Sequence, residues 1–396
     1  MIKTFAINTL GCKVNQYETQ QIREFLESFG LVRARDSACA DLIVINTCCV
    51  THTASAKSRR CLRKAAIGNP SARIVVAGCL PTVDTGELNL CGIRAEIVPE
   101  KDQLITYLHN IVKSRKTPAD HQNNSFLPLR KFQGQTRAFL KVQDGCDGFC
   151  SYCIIPRTRP KVRSRDPDQI IKEATSLVSS GHRELVVTGV FLGAYGKPTV
   201  RRRKWDSPEN FELVNLLQRL ADIEGLQRIR LSSLEPADVT EGLLSLMAEN
   251  DNFAPHLHLS LQSGSDAILR RMNRQYTSGQ FCEKVQLTKR ILDKPAITAD
   301  IIVGFPGETE QDFQRSHELM DWAGFAKTHI FAFSERAHTV AAKMSGKLNP
   351  NIVKDRTKTL HRLDERLQAR FREKFIGKEL SVLIEKGGSS ARGGCG

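Results

Sequence analysis

The chain has 396 residues, 40% of them hydrophobic and 26% charged, which is enough to bury a sizeable core in two or three domains and excludes a disordered or collagen-like chain. No apolar run approaches the roughly 20 residues that span a bilayer, and the opening MIKTFAINTLGCKVNQ lacks the basic-then-apolar layout of a signal peptide, so a cytoplasmic protein with no membrane contact is expected. Lysine plus arginine (58) exceeds aspartate plus glutamate (43), and the net charge of +15 suits a polyanionic partner such as RNA without fixing fold or substrate.

In residues 1–115, short apolar runs (4–10, 41–46 and 73–78) alternate with helix-compatible segments such as NQYETQQIREFLESFG, which reads as an open parallel α/β sheet. Cys12, Cys48 and Cys79 each stand just after one of these runs. Ligands of such sheets gather beyond the carboxyl ends of the strands, so three distant thiols are expected at one place. Residues 116–134 are polar, contain proline and show no period, as an interdomain linker would.

The stretch 135–375 carries six further strand candidates, near 137–142, 184–188, 228–232, 257–261, 297–302 and 328–333, separated by helical patterns. Six β/α units predict a partial barrel with its chemistry at the C-terminal strand ends. The first of these strands leads into CDGFCSYC, and TGV, SSLEP, LQSGSD and VGFPGE follow or close four others. Beyond the charged helical pattern at 352–375, residues 376–396 hold one strand-like run, ELSVLIE, and a glycine-rich tail expected to be disordered.

Twelve cysteines without an export signal point to metal ligation rather than disulfides. Cys146, Cys150 and Cys153 form a CxxxCxxC triplet. Structural zinc takes four closed ligands, and no fourth cysteine or histidine lies at finger spacing. Three thiolates instead suit a 4Fe-4S cluster with one iron open to an outside ligand. This triplet after the first strand of a β/α barrel, with Tyr152 before the third cysteine, resembles the radical S-adenosylmethionine (SAM) superfamily. The resemblance implies that the open iron chelates SAM and that reduction cleaves it to a carbon radical; zinc or a purely structural thiol cluster is the alternative.

GCKVNQYET, NTCCVTHTA and VAGCL are similar to the three cysteine motifs that open the methylthiotransferases, a resemblance covering residues 1 to 376. It implies that Cys12, Cys48 and Cys79 hold a second 4Fe-4S cluster that presents sulfur, and that Cys48 rather than Cys49 is the ligand. Two SAM molecules per turnover, a reductant such as flavodoxin or ferredoxin, and a sulfur donor the sequence does not name are implied as well. GCKVNQYET and HLHLSLQSGSDAILRRMNRQYT look like the branch that modifies N6-threonylcarbamoyladenosine in the tRNA anticodon loop. The isopentenyladenosine and ribosomal-protein branches read differently where Leu10, Lys13 and Val14 stand here. They remain alternatives, as does a non-catalytic iron–sulfur protein that binds RNA.

By the same resemblance, Tyr152, Thr188, Gly189, Ser233, Glu235, Gln262 and Gly304 stand where the superfamily binds SAM, against a bland reading as strand-end turns. No general base is assigned. The basic runs RTRPKVRSR (157–165) and RRRKW (201–205) are candidate phosphate contacts, against solvated charged loops. Cys39, Cys61, Cys91, Cys282 and Cys395 have no partner at ligand spacing and are expected to pack as small apolar side chains or stay dispensable. His256 and His258 read as structural. FSERAHTVAAKM departs from the family's YSxRPGTPA, and only GKELSVLIE resembles the start of a C-terminal TRAM-type barrel, which leaves a truncated remnant.

Overall fold

The computed structural model describes residues 2–83, 93–112, 126, 128–202, 205 and 209–385. The N-terminal part is a five-stranded parallel sheet in the order β2-β1-β3-β4-β5, formed by Thr4–Thr9 (β1), Val32–Arg33 (β2), Leu42–Thr47 (β3), Arg73–Gly78 (β4) and Glu96–Ile97 (β5). β3 is buried along its whole length, as a central parallel strand covered on both faces must be. Helix α1 (Lys13–Ser28) covers one face, where Ile22, Phe25 and Leu26 pack with Phe5, Leu42 and Val44. Helix α2 (His52–Gly68) covers the other through Leu62 and Ala65. Fully burying each of the leucine, isoleucine, valine and phenylalanine side chains stabilises the fold by about 1.5–3 kcal/mol.

The second part is the expected incomplete barrel. Its parallel strands are Arg137–Lys141 (β6), Glu184–Thr188 (β9), Arg228–Leu231 (β10), His256–Gln262 (β11), Ala296–Val303 (β12) and Lys327–Ala332 (β13). They lie in sequence order as two triplets, β6-β9-β10 and β11-β12-β13, joined by the single bridges Ile229↔Phe253 and Leu234↔Leu259. Outward-facing Leu257, Leu259 and Leu261, Ile297, Ala299 and Ile301 form one core with the surrounding helices. A short antiparallel pair, Gln143–Asp144 (β7) with Arg163–Ser164 (β8), pinches the base of the cysteine loop.

The two parts share residues. Tyr17 of α1 belongs to the barrel's core, and its hydroxyl donates to Glu173 Oε2 at 3.0 Å. The next residue, Glu18, accepts from Lys141 (3.2 Å) and from both terminal nitrogens of Arg159 (2.9 Å each), while Asp144 accepts from the same two cations (2.8 Å each). At the far side, the His52 backbone N–H donates to Ser334 Oγ at 2.9 Å.

Two expectations change. Within the 116–134 stretch, Leu129 and Phe132 are buried in the barrel core and the Arg130 and Lys131 N–H groups bond Glu24, so the described end of this segment is docked along α1 rather than a free tether; 116–125 and 127 lie outside the described residues. The ELSVLIE run is extended but forms no strand. Arg228 bonds the Ser381 carbonyl (3.0 Å) and Arg137 pairs with Glu385 (2.7 Å), which pins it across the N-terminal ends of the barrel strands without a sheet partner. The tail from 386 onward lies outside the described residues. No described helix is long and apolar enough to cross a membrane.

Candidate functional site

The CxxxCxxC loop is shaped by backbone constraints at its root. Gly145 has φ +80°, and a Cβ there would lie 1.8 Å from the Lys161 carbonyl oxygen, so only glycine fits. Gln143 fastens the loop to the end of β9: its amide nitrogen donates to the Gly145 carbonyl (2.8 Å) and its oxygen accepts from Phe191 N–H (2.8 Å). Cys146 N–H bonds the Arg159 carbonyl at 2.9 Å. The three thiols and Tyr152 then line a cleft of about 180 Å³ with Phe191, Arg202, Trp205, Glu235, Arg274 and Tyr276.

Burial pushes the Cys146 thiol up to about 11 and the Cys153 thiol up to about 12. Hydrogen-bond donors aim at the sulfurs: Gly148 N–H reaches Cys146 Sγ at 3.4 Å, and Arg274 Nη1 reaches Cys150 Sγ at 3.0 Å. Arg274 is held in turn by Glu235 and by Tyr276, whose ring lies 5.0 Å from the guanidinium carbon. Burial pushes the Glu235 carboxyl up, and Arg274 opposes the shift. Soft thiolate donors in a part-dry cleft, with N–H groups toward sulfur, fit an iron–sulfur cluster. Among the described residues no three metal-ligating side chains are drawn together on one ion, and a cluster with iron at each corner does not require it.

The second set assembles by topology. Paired registers Thr9↔Asn46 and Thr47↔Gly78 level the ends of β1, β3 and β4, so Cys12 (before α1), Cys48 (after β3) and Cys79 (first residue of the short helix α3, Cys79–Val83) meet at the point where the strand order reverses. Gly11, at φ +103°, permits this: a Cβ there would lie 2.7 Å from Cys48 Cβ and 2.9 Å from its sulfur. Asn15 clasps the two loops, donating to the carbonyls of Leu10 (2.8 Å) and Thr47 (2.9 Å). Cys79 is buried, its thiol raised to about 11 by burial, and Arg159 bonds it. Cys49 turns into the core and donates to the Cys79 carbonyl at 3.3 Å, which leaves Cys48 beside Cys12.

Of the residues expected at SAM, Tyr152 and Glu235 line the cleft; Thr188, Gly189, Ser233, Gln262 and Gly304 do not. Thr188 is buried and accepts through its carbonyl from Val142 N–H. Gly189 abuts Gln143, and Ser233 is exposed. Gln262 is buried in a left-handed conformation (φ +66°) at the bulged end of β11. Gly304 is covered by Val353, which a Cβ would approach to 2.5 Å. Gln143, Arg274 and Tyr276 escaped the sequence reading, although Arg274 and Tyr276 stand in the quoted NRQYT segment.

The basic runs divide. Arg159 and Arg165 are internal, the latter bonding Glu173 (2.7 Å), Tyr17 and the Lys141 carbonyl, because buried carboxylates require cationic partners. Both guanidinium groups are thereby engaged inside the protein and do not serve as phosphate contacts. Arg157, Lys161 and Arg163 are exposed along a second cleft, of about 240 Å³, that runs to Thr82 and Pro99 of the N-terminal part. Arg201 lies 3.9 Å over the Phe149 ring and Arg202 pairs with Asp238; residues 203 and 204 lie outside the described residues. The departing segment 333–344 still supports the cysteine loop, through Ala341 N–H to the Ser151 carbonyl (2.8 Å). Cys39 is exposed rather than packed, Cys61 and Cys282 are half-buried, and Cys91 and Cys395 lie outside the described residues.

Residues 140–320 match the family model described as the Radical SAM superfamily, and residues 4–98 match the one described as Uncharacterized protein family UPF0004. The chain is 34% identical over 393 residues to the threonylcarbamoyladenosine tRNA methylthiotransferase MtaB of Bacillus subtilis, covering 97% of this chain and 85% of that protein. With the Chlamydia pneumoniae protein of the same name it shares 37% over 387 residues (97% and 87% covered). It shares 36% over 399 residues (98% and 88% covered) with the tRNA-2-methylthio-N(6)-dimethylallyladenosine synthase of Zymomonas mobilis. Among solved structures, the radical S-adenosylmethionine methyltransferase TsrM from Kitasatospora setae superposes with a TM-score of 0.58 at 15% identity, over 84% of this chain and 75% of that one, a likeness of fold. With its two matched domains and relatives of this length and identity, the chain belongs to the radical SAM methylthiotransferase family.

Proposed function

We propose that the protein inserts a methylthio group at carbon 2 of N6-threonylcarbamoyladenosine beside the anticodon of tRNA. The observation that carries this reading is the pair of thiol triads held across one interdomain seam, in a chain whose relatives named for that nucleoside align over 97% of its length. With 4Fe-4S clusters bound, Cys146, Cys150 and Cys153 would hold the one that reductively cleaves SAM, and Cys12, Cys48 and Cys79 the one that presents sulfur. Arg274, Glu235 and Tyr276 fix the loop thiols and wall the cleft, while Arg159 joins the second triad to the barrel. Arg157, Lys161 and Arg163 supply a cationic approach for the RNA backbone, and an anticodon-loop base is already unpaired, so extruding it costs little. A small electron-transfer protein of the flavodoxin or ferredoxin kind serves as reductant.

Nucleoside mass spectrometry of tRNA, with and without the gene, tests this. The 2-methylthio derivative of threonylcarbamoyladenosine should vanish on deletion and return on complementation. Loss confined to the dimethylallyladenosine derivative would establish the second reading, which the Zymomonas mobilis relative supports.

A further inference from the structure

The barrel's inner face is polar and open, whereas its outer face is closed core. Along β10 to β13, the side chains alternating with the buried aliphatic set are Arg230, His256, His258, Asp300, His329 and Phe331, all part-exposed. His258 joins them into one wall: its Nδ1 lies 2.8 Å from Thr298 Oγ1, its Nε2 lies 3.1 Å from Asp300, and its ring centroid lies 5.4 Å from that of His329. His329 stacks on Phe331 (6.5 Å, 23°), and Phe331 is 46% exposed. Arg230 is anchored by Glu184 at 2.9 Å.

Lys13 reaches this space from the other part of the molecule. It directly follows Cys12, is exposed, has Arg137, Arg230 and Asp300 as its charged neighbours, and forms no ion pair among the described residues. Asp300 is already engaged by His258. Arg137 and Arg230 share the buried Glu184, so Lys13 is the cation left at this polar wall to take an anion.

Adenine chemistry says which anion. Carbon 2 and carbon 6 flank N1 on one edge of the ring, so a group carried on N6 lies beside whatever delivers sulfur to carbon 2. Lys13 is the neighbour of a thiol assigned to that delivery. The threonylcarbamoyl substituent ends in a free carboxylate, whereas a dimethylallyl substituent is a hydrocarbon. We propose that Lys13, supported by Arg230, binds the carboxylate of the N6 substituent, and that His329 and Phe331 form the shelf on which the modified base rests. This rests on the methylthiotransferase reading above and adds the residue that selects its substrate. A site that pairs a cation with the substituent's carboxylate also favours the free acid over an analogue lacking the counter-charge, because the cation then gains no partner on binding.

The test uses the reconstituted protein and three anticodon stem-loop RNAs that differ in the N6 group alone: threonylcarbamoyl, its methyl ester, and dimethylallyl. Fluorescence anisotropy should show the free acid binding wild-type protein about tenfold more tightly than the ester, equivalent to about 1.4 kcal/mol. Lys13→Met should reduce that preference to about twofold by weakening the acid alone, and Lys13→Arg should restore most of it. Equal wild-type affinities for acid and ester would overturn the inference without any variant. So would a Lys13→Met protein that keeps the tenfold preference, or one that weakens acid and ester alike. Product analysis separates the two layers: methylthiolation of the threonylcarbamoyl RNA without acid-over-ester preference removes this inference alone, while methylthiolation of the dimethylallyl RNA alone removes the substrate reading itself.

Discussion

The two thiol triads are built in opposite ways. Cys146, Cys150 and Cys153 lie on one loop whose geometry is set within about twenty residues by Gly145, the β7–β8 pinch and Gln143. Cys12, Cys48 and Cys79 are brought together by the order of three parallel strands, and no local signal holds them in one place. A local site survives damage elsewhere in the fold, while a topological one fails wherever sheet register, loop clasp or interdomain clamp fails. The contrast also separates the two by exposure to substitution: each has a glycine at its tightest point, but a Cβ at Gly11 strikes a thiol of the site itself, whereas one at Gly145 strikes backbone at the loop's root.

The strongest way to break the comparison is to remove each triad whole. Replacing Cys146, Cys150 and Cys153 by alanine should leave about half the iron of the reconstituted wild type and abolish reductive SAM cleavage, whereas replacing Cys12, Cys48 and Cys79 should leave about half the iron with SAM cleavage intact and methylthiolation lost. Iron assay and 5′-deoxyadenosine chromatography decide it; SAM cleavage by the loop-triad variant would reverse the assignment. Cys49→Ser should keep full iron content.

A sharper cut goes through the backbone. Gly11→Ala places a methyl group 2.9 Å from the Cys48 sulfur at a φ that alanine disfavours. It should lower iron content toward the dispersed-triad variant's value while SAM cleavage persists.

Arg159→Ala tests the clamp. It removes a cation shared by Glu18 and Asp144, and removal of one partner from a buried ion pair costs about 3–5 kcal/mol. Denaturant unfolding should show that loss, with the dispersed triad's iron lost at lower denaturant than the loop triad's. Simultaneous loss would mean that the two sites unfold as one unit.

The smallest effect concerns the inner wall of the barrel. Burial and the nearby Arg230 hold His256 down at about 3, against an ordinary value of 6.5. The unfolded chain therefore binds a proton in the window between these values that the folded chain refuses, so stability from this residue is complete above pH 6.5 and is lost as pH falls toward 3. Between pH 7 and pH 5 the loss should reach up to about 2 kcal/mol, and His256→Asn should flatten that slope in thermal melts.

The strands, the barrel and the CxxxCxxC loop were legible because apolar runs and short residue spacings are local properties, whereas the dispersed cysteines could be expected only from their places after three strand-like runs. Charge pairing is not. RTRPKVRSR looks uniformly basic, yet Arg159 and Arg165 are consumed by Glu18, Asp144 and Glu173, which lie elsewhere in sequence and have to be buried before the arginines acquire that role. Gln143 and Arg274 were hidden for the same reason, since each acts through partners that only the fold brings near. ELSVLIE alternates as a strand should, but a strand also needs a neighbour, and the barrel offers it Arg137 and Arg228 instead. Gly304, expected at SAM from the resemblance, is covered by Val353 of the helix Pro350–Glu373, a contact that only the fold brings about.

The bond from Tyr17 to Glu173 spans 156 positions of chain. During synthesis, the first helix of the protein leaves the ribosome long before the residue that satisfies it, and at roughly 5–20 residues per second the interval is on the order of ten seconds or more. Throughout that time the Tyr17–Glu18 face of α1 has no barrel to lie against. The docking of that face is therefore timed by synthesis of the helix Pro167–Ser179, which carries Glu173, rather than by folding of the N-terminal sheet alone.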